Sequence, residues 1–215
     1  MRQETDYPGY RRIVRDSFQR WYEAGKDSWT GAPTNDKVTD FATAHAPLPG
    51  LGTRRVLDIG CGRGHQTVQL AERLDADVIG LDLLDVWDAP PPAHGTARFR
   101  RTDFLGFTDG PMDLLVDNGC LHHQRREEWP GWVEHGRTLL RPGGVWVVSC
   151  FLSPTPDVVA KPLADGRLNW WLTESAVTAL FAGSGLAMTE RTVIDRRFNY
   201  QGHWLKYLAL AFVRS

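Results

Sequence analysis

Cysteine is scarce in this chain: three residues in 215, at positions 61, 120 and 150. An odd, scattered set offers no disulfide framework and suits a reducing compartment. Long apolar runs are missing too, and no stretch approaches the roughly eighteen residues that a membrane-crossing helix needs. The first residues, Met1-Arg2-Gln3-Glu4-Thr5-Asp6, are polar with no apolar segment behind them, so no secretory leader is expected. There is no excess of either charge. Lys and Arg number 25 against 26 Asp and Glu, for a formal net charge of −1 and a pI near 6.7. That balance leaves no electrostatic footprint for nucleic acid or an acidic membrane surface. No repeat or low-complexity tract occurs apart from Pro90-Pro91-Pro92. The expectation is a soluble, cytoplasmic protein, monomer or homodimer, with neither nucleic acid nor membrane as partner.

Glycine and tryptophan are plentiful, 21 and nine residues. The most informative glycines lie in Val56-Leu57-Asp58-Ile59-Gly60-Cys61-Gly62-Arg63-Gly64. Val56, Leu57 and Ile59 around a single acid predict a buried parallel strand. The glycines at alternate positions then open an apolar-periodic helix, His65 to Leu74. Such a turn lets backbone N–H groups approach a ligand with no Cβ in the way. Asp58 discriminates between ligands. A dinucleotide would bring a pyrophosphate here, which a carboxylate repels. S-adenosylmethionine (SAM) brings an ammonium and a sulfonium, which a carboxylate attracts. The third glycine also follows the second by two residues rather than the three of G-x-G-x-x-G.

Along the rest of the chain strand and helix patterns alternate. Strands are predicted at Arg55–Ile59, Asp77–Leu81, Ala97–Arg101, Met112–Val116, Val145–Cys150, Ala187–Asp195 and Trp204–Arg214. Helices are predicted around Ile13–Ala24, Asp36–His45, His65–Leu74, Trp129–Leu140 and Glu174–Ser184. Arg141-Pro142-Gly143-Gly144 should stop the fourth of these and turn the chain into a strand. This alternation implies one α/β domain over residues 1–215, with a parallel sheet and helices on both faces. The segment Arg196–His203 is too short for a helical crossover, so the last two strands should form an antiparallel hairpin. Residues 1–50 read as a cap over a core of residues 51–215. The Pro/Gly-rich stretch 151–171 reads as a substrate loop at the strand ends.

The glycine run resembles motif I of the class I SAM-dependent methyltransferases, small-molecule type. The resemblance covers residues 50 to 150 and continues through Trp171-Leu172-Thr173-Glu174 and Phe181-Ala182-Gly183-Ser184-Gly185. It implies a seven-stranded, Rossmann-like, mostly parallel sheet in the order 3-2-1-4-5-7-6, with SAM as cofactor and a small-molecule acceptor. Four acids, Asp58, Asp82, Asp103 and Asp117, should meet at the edge where ligands bind in open α/β sheets. The resemblance gives them roles. Asp82, followed by Leu83, would take the ribose hydroxyls. Asp103 would accept from the adenine amino group, with Phe104 against the ring. Asp58 would order the turn Gly60-Cys61-Gly62 and favour a cation, and Asn118 would bind the methionine end.

At the N-terminus, Trp21, Gly25, Trp29, Gly31 and Pro33 have a spacing similar to the signature of thiopurine, thiol and halide methyltransferases. In those enzymes the segment folds over bound SAM, which would bring Trp29 to the cofactor. A thiol or halide acceptor is therefore an alternative to a natural product or metabolite. His122 and His123, after the fourth strand, stand where the acceptor should approach. An imidazole titrates near neutrality and could serve as general base; the other reading is a pair that holds its loop. Adjacent side chains diverge and no distant partner cluster matches, so no metal is expected. An NAD-dependent oxidoreductase and a non-methylating SAM-binding protein are the rivals from other classes. The residues leave the acceptor atom open among oxygen, nitrogen, sulfur and carbon.

Overall fold

The computed structural model describes residues 6–48, 52–200 and 203–215. The apolar run around Asp58 forms β1 (Arg55–Ile59), the central strand of a nine-stranded sheet. It pairs in parallel with β2 (Asp77–Asp82) on one side and β4 (Met112–Asn118) on the other. Beyond them lie β3 (Thr96–Arg101) and β5 (Leu140–Leu152), also parallel. Helices α1 (Tyr7–Glu23) and α2 (Pro33–Ala44) precede the sheet. The crossover from β1 to β2 is α3 (His65–Leu74), and that from β4 to β5 contains α4 (Trp129–Leu139). This is the expected 3-2-1-4-5 order.

The two faces of the sheet follow from the period-two alternation of strand side chains. Val56, Val78, Leu114 and Val116 pack with Leu70 and Ala71 of α3 and Ala42 of α2. Their neighbours Leu57, Ile59, Ile79 and Leu115 point the other way, toward Trp132 and Val133 of α4. The same alternation sends Asp58 toward α3 and Asp117 toward α4, which decides what each acid can do.

Seven strands were expected and nine are present among the described residues. The added pair is β6 (Val159–Pro162) and β7 (Leu168–Leu172), an antiparallel hairpin inside the stretch read as a substrate loop. Each strand is too short, and too closely flanked by proline or glycine, to show a period. A turn at Gly166, φ +90°, joins them, and β7 adds to β5 through Phe151 and Leu152. After α5 (Glu174–Ala182) come β8 (Leu186–Tyr200) and β9 (His203–Arg214), paired antiparallel, with β9 antiparallel on β5. The sheet therefore ends 9-8 where the family pattern reads 7-6. The connection within this hairpin at 201–202 and the expected boundary at 50/51 lie outside the described residues.

Several element boundaries also moved: α2 starts three residues before Asp36, and β8 runs past Asp195 to Tyr200, shortening the expected connection at Arg196–His203. Helix α1 starts six residues before Ile13, because Asp6 caps it by accepting from the Gly9 amide at 2.8 Å and a proline occupies its first turn. Arg141–Gly144 belongs to the long strand β5 instead of forming a separate turn, with a register shift opposite Met112–Leu114 absorbing the irregularity.

Helix α4 buries Trp129, Trp132, Val133, Gly136 and Leu139, the stripe of one helical face. Gly136 is small because a Cβ there would lie 2.2 Å from the ring of Trp146, which is fully buried on β5. Gly136→Ala should therefore destabilise the fold by about 1–3 kcal/mol despite alanine's better helix propensity. A urea midpoint equal to or above that of the unaltered protein would show that Trp146 can give way.

Candidate active site

After Ile59 the chain turns through Gly60, Gly62 and Gly64, with φ of +71°, +54° and +87°. These left-handed values favour glycine, and at Gly60 a Cβ would also lie 2.0 Å from Cys120 Sγ. The turn is clamped from the next strand. Asp82 accepts from the Gly62 amide at 2.9 Å and, through its other oxygen, from the Leu84 amide at 2.9 Å. Burial pushes its carboxyl above the usual range, while backbone donors at Leu84, Gly62 and Leu83 oppose the shift. Beneath the turn, Asp58 is 1% exposed and accepts from Thr67 Oγ1 of α3 at 2.6 Å. Burial raises its carboxyl to about 7; the Thr67 bond works against this, and the charges of Asp82 and Asp117 add to it. Asn118 donates to Gln66 Oε1 at 2.6 Å and accepts from Ser149 Oγ at 2.7 Å, tying β4 to α3 and β5.

Asp117 departs from the expected quartet. Its carboxylate is fully buried on the α4 side, where it accepts from the Cys120 amide at 2.6 Å and Trp132 Nε1 at 3.2 Å. It shapes the turn that presents His122 and His123. Asp58, Asp82 and Asp103 do meet, on the wall of one cavity of about 380 Å³, and every other site residue expected from the sequence lines the same cavity. Phe104 does so as a core side chain. It is 3% exposed, with its ring against Trp132, His135 and Trp146.

Helix α1 closes the cavity from above through polar tethers. Tyr7 donates its hydroxyl to Asp103, 3.0 Å from both oxygens, and Arg11 pairs with the same carboxylate at 3.2 Å. Tyr10 donates to the His123 carbonyl at 2.6 Å and accepts from the Leu168 amide at 3.0 Å. Ser17 donates to Asp165 at 2.6 Å. Over the glycine turn, Tyr22 accepts from Trp29 Nε1 at 3.2 Å, and a Cβ on Gly62 would come within 2.7 Å of the Tyr22 hydroxyl. Trp29 packs on Phe18, Trp21 and Tyr22, so this N-terminal tryptophan cluster lies on the cavity.

At the other end stand the two histidines. His122 is 2% exposed between His123 and Phe151, and its Nδ1 is buried with no hydrogen-bond partner. His123 places Nδ1 3.1 Å from the Leu168 carbonyl and lies 3.2 Å from Arg167 Nη1. Burial lowers the His122 pKa to about 3, helped by the charges of Arg167 and Arg196. His123 is also held well below the usual range, by burial, His122 and Arg167. Both rings are neutral at physiological pH. Arg167, Arg196 and Tyr207 also lie on this wall, Tyr207 from within the strand expected at Trp204–Arg214. Arg167 lies within the stretch expected to carry acceptor specificity, but nothing local distinguishes it from the other loop residues. Tyr7 and Tyr22 were missed for a similar reason, since their partners lie 96 and 40 positions away.

A family profile described as a methyltransferase domain matches residues 56–144. Among curated relatives, a secondary metabolism regulator of Cochliobolus heterostrophus is 30% identical over 74% of this chain and 59% of its own length. A trans-aconitate 2-methyltransferase of Deinococcus radiodurans is 36% identical over 60% of this chain and 49% of its own. The chain thus spans about half of these two relatives. A solved structure of the 1,6-didemethyltoxoflavin-N1-methyltransferase of Burkholderia thailandensis, with its substrate and S-adenosylhomocysteine bound, superposes with a TM-score of 0.81. The two are 25% identical, and the match covers 96% of this chain and 89% of that one.

The buried Asp58 makes stability depend on pH. Its carboxyl titrates near 4 when unfolded and near 7 when folded, so the native state holds the proton more tightly. Its contribution is full below about pH 4 and is lost as pH rises through 7. Asp58→Asn keeps an acceptor for Thr67 and abolishes that titration. Between pH 4 and 7 the urea midpoint of the unaltered protein should fall relative to that of the variant. Parallel curves would mean that Asp58 titrates as an exposed acid.

Proposed function

We propose, from the premise that residues 56–144 are a methyltransferase domain carried on the class I SAM-dependent methyltransferase fold, that this chain transfers a methyl group from SAM to a small-molecule acceptor, releasing S-adenosylhomocysteine. One observation carries the reading: the glycine turn clamped by Asp82 opens into a cavity that continues to a separate wall of aromatic and cationic side chains. The residues suit SAM in chemistry. Side chains are missing at Gly60 and Gly62 where the backbone must approach a ligand, and four acids, Asp36, Asp58, Asp82 and Asp103, line the same space. When bound, the sulfonium supplies an electrophilic methyl group.

The turn Gly60-Cys61-Gly62 and Asn118 hold the methionine portion, with Asp58 beneath, a carboxyl that an arriving cation would draw into its ionised form. Asp82 keeps lone pairs beyond those used by Gly62 and Leu84, and these accept from the ribose. Leu83 and Phe104 give the adenine an apolar wall. Asp103 serves its amino group once the Tyr7 hydroxyl yields its place. Trp29 and α1 form a lid that keeps water from the reacting centre. His122 and His123 touch the acceptor as neutral hydrogen-bonding groups, because an imidazole with so low a pKa is a weak proton acceptor. Relatives named for activity on trans-aconitate and on 1,6-didemethyltoxoflavin favour a small metabolite or natural product as acceptor.

Calorimetric titration with SAM and with NAD tests the cofactor. SAM should bind and NAD should not. Asp82→Ala should weaken SAM at least roughly tenfold while the far-ultraviolet circular dichroism stays native, since each charge-assisted bond is worth about 1.5–3 kcal/mol. An unchanged dissociation constant would remove Asp82 from the site. For the histidines, alanine variants should lower kcat by a factor constant across pH, with SAM affinity unchanged. A loss of about 10²–10⁴ that recovers as the acceptor ionises would instead establish an imidazole base.

A further inference from the structure

Six cationic side chains line the cavity, and they divide by partner. Arg11 pairs with Asp103, Arg15 with Asp16, and Arg63 with Asp27 and Asp88. Lys161, Arg167 and Arg196 have no ion-pair partner among the described residues. The charges are also segregated in space. The acids on the wall, Asp58, Asp82, Asp103 and Asp36, belong to β1, the end of β2, the loop after β3 and α2. The three unpaired cations belong to the β6–β7 hairpin and β8, beside the histidines.

We infer that Lys161, Arg167 and Arg196 form the anion-binding end of the acceptor site, and that the acceptor is a planar conjugated molecule carrying a carboxylate, enolate or phenolate. This deepens the methyltransferase reading and rests on it. Arg167 makes the strongest case. It is 4% exposed, and its Nε donates to Ser17 Oγ at 2.9 Å. Asp165, two residues before it, is engaged by Ser17 and by Arg20, and reaches the guanidinium only through the Ser17 bridge. A buried cation with no acid in direct contact is costly, and an incoming anion would reduce that cost. A guanidinium is also suited to planar oxyanions, which it binds bidentately.

The remaining wall says what the anion is attached to. Arg167 lies over Phe18 at 4.2 Å, Lys161 over Trp171 at 4.6 Å, and Arg196 over Tyr207 at 4.7 Å. Phe151 stacks on Tyr207 with ring centroids 5.3 Å apart. Aromatic faces interleaved with cations fit a flat, conjugated anion better than a flexible aliphatic one. The histidines agree. An acceptor that arrives ionised has no proton to lose, so neutral imidazoles suffice to orient it. The buried, unpartnered Nδ1 of His122 is a polar atom still to be satisfied.

The test uses 2-naphthoate and its near-isostere 2-naphthamide, titrated into the full chain saturated with S-adenosylhomocysteine. Naphthoate should bind about tenfold tighter or more than the amide. In the double variant Lys161→Gln/Arg196→Gln that preference should shrink to under about threefold, with amide affinity little changed. Arg167→Gln should remove it as well, provided circular dichroism shows the variant folded; the double variant decides the matter if it is not. Equal affinity for the two probes, failure of both to bind, or a preference that survives the substitutions overturns the inference. The first titration separates this from the parent reading. If S-adenosylhomocysteine does not bind, the methyltransferase reading fails, and naphthoate preference in the free protein still judges the cation wall.

Discussion

The site depends on one carboxylate that joins two strand ends. Asp82 closes β2, and its oxygens take the amides of Gly62 and Leu84. That pins the loop after β1 to the loop after β2, so backbone N–H groups are arranged before any ligand arrives. Preorganisation of this kind lowers the ordering cost of binding. Residue 62 takes a φ of +54°, which favours glycine, and the missing Cβ leaves the space into which Tyr22 descends from α1. Turn, clamp and helix α1 are thus one arrangement. A change in any one is felt by the other two.

Helix α1 is tied across the cavity by polar contacts. Tyr7, Tyr10 and Ser17 each place a hydroxyl on a group from the far end of the chain: Asp103, the backbone at His123 and Leu168, and Asp165. Such bonds are individually worth about 0.5–1.5 kcal/mol and can be exchanged with water or ligand. Asp103 is where exchange matters most, because the carboxylate expected to serve the cofactor already serves Tyr7.

Much of this was legible from local pattern. The glycine turn, the alternation in β1, β2 and β4, and the clustering of acids at strand ends are written within a few residues of one another. The architecture followed from them, as did the place of the cavity. What escaped were contacts between distant segments. Arg167 carries no signal in its neighbours, since its meaning comes from Ser17, Phe18 and His123. The β6–β7 hairpin has strands too short for periodicity, and Tyr207 lies in a strand whose face could not be assigned before its pairing with Phe151 was known. Asp117 was placed at the correct strand end, but the alternation that turns it toward α4 depends on which face that helix covers.

The two ends of the cavity carry opposite charge, and this polarity follows from topology. The strands β1, β2 and β3 end in acids or lead into them, and their loops lie together because the strands are adjacent in the sheet. The β6–β7 hairpin and β8 supply the cations from the far side of β5, so the two sets are kept apart by the sheet itself. Inside a cavity covered by α1, such separated charges interact more strongly than they would in water. A cationic ligand is drawn to the first end and an anionic one to the second. The histidines stand between them. Burial depresses their pKa values first, with Arg167 adding to both and Arg196 to His122, so no further positive charge is set between the two. The low basicity of this pair is therefore a consequence of burial that the cationic wall reinforces, and the same wall makes a base less necessary by favouring the ionised form of an anion it binds.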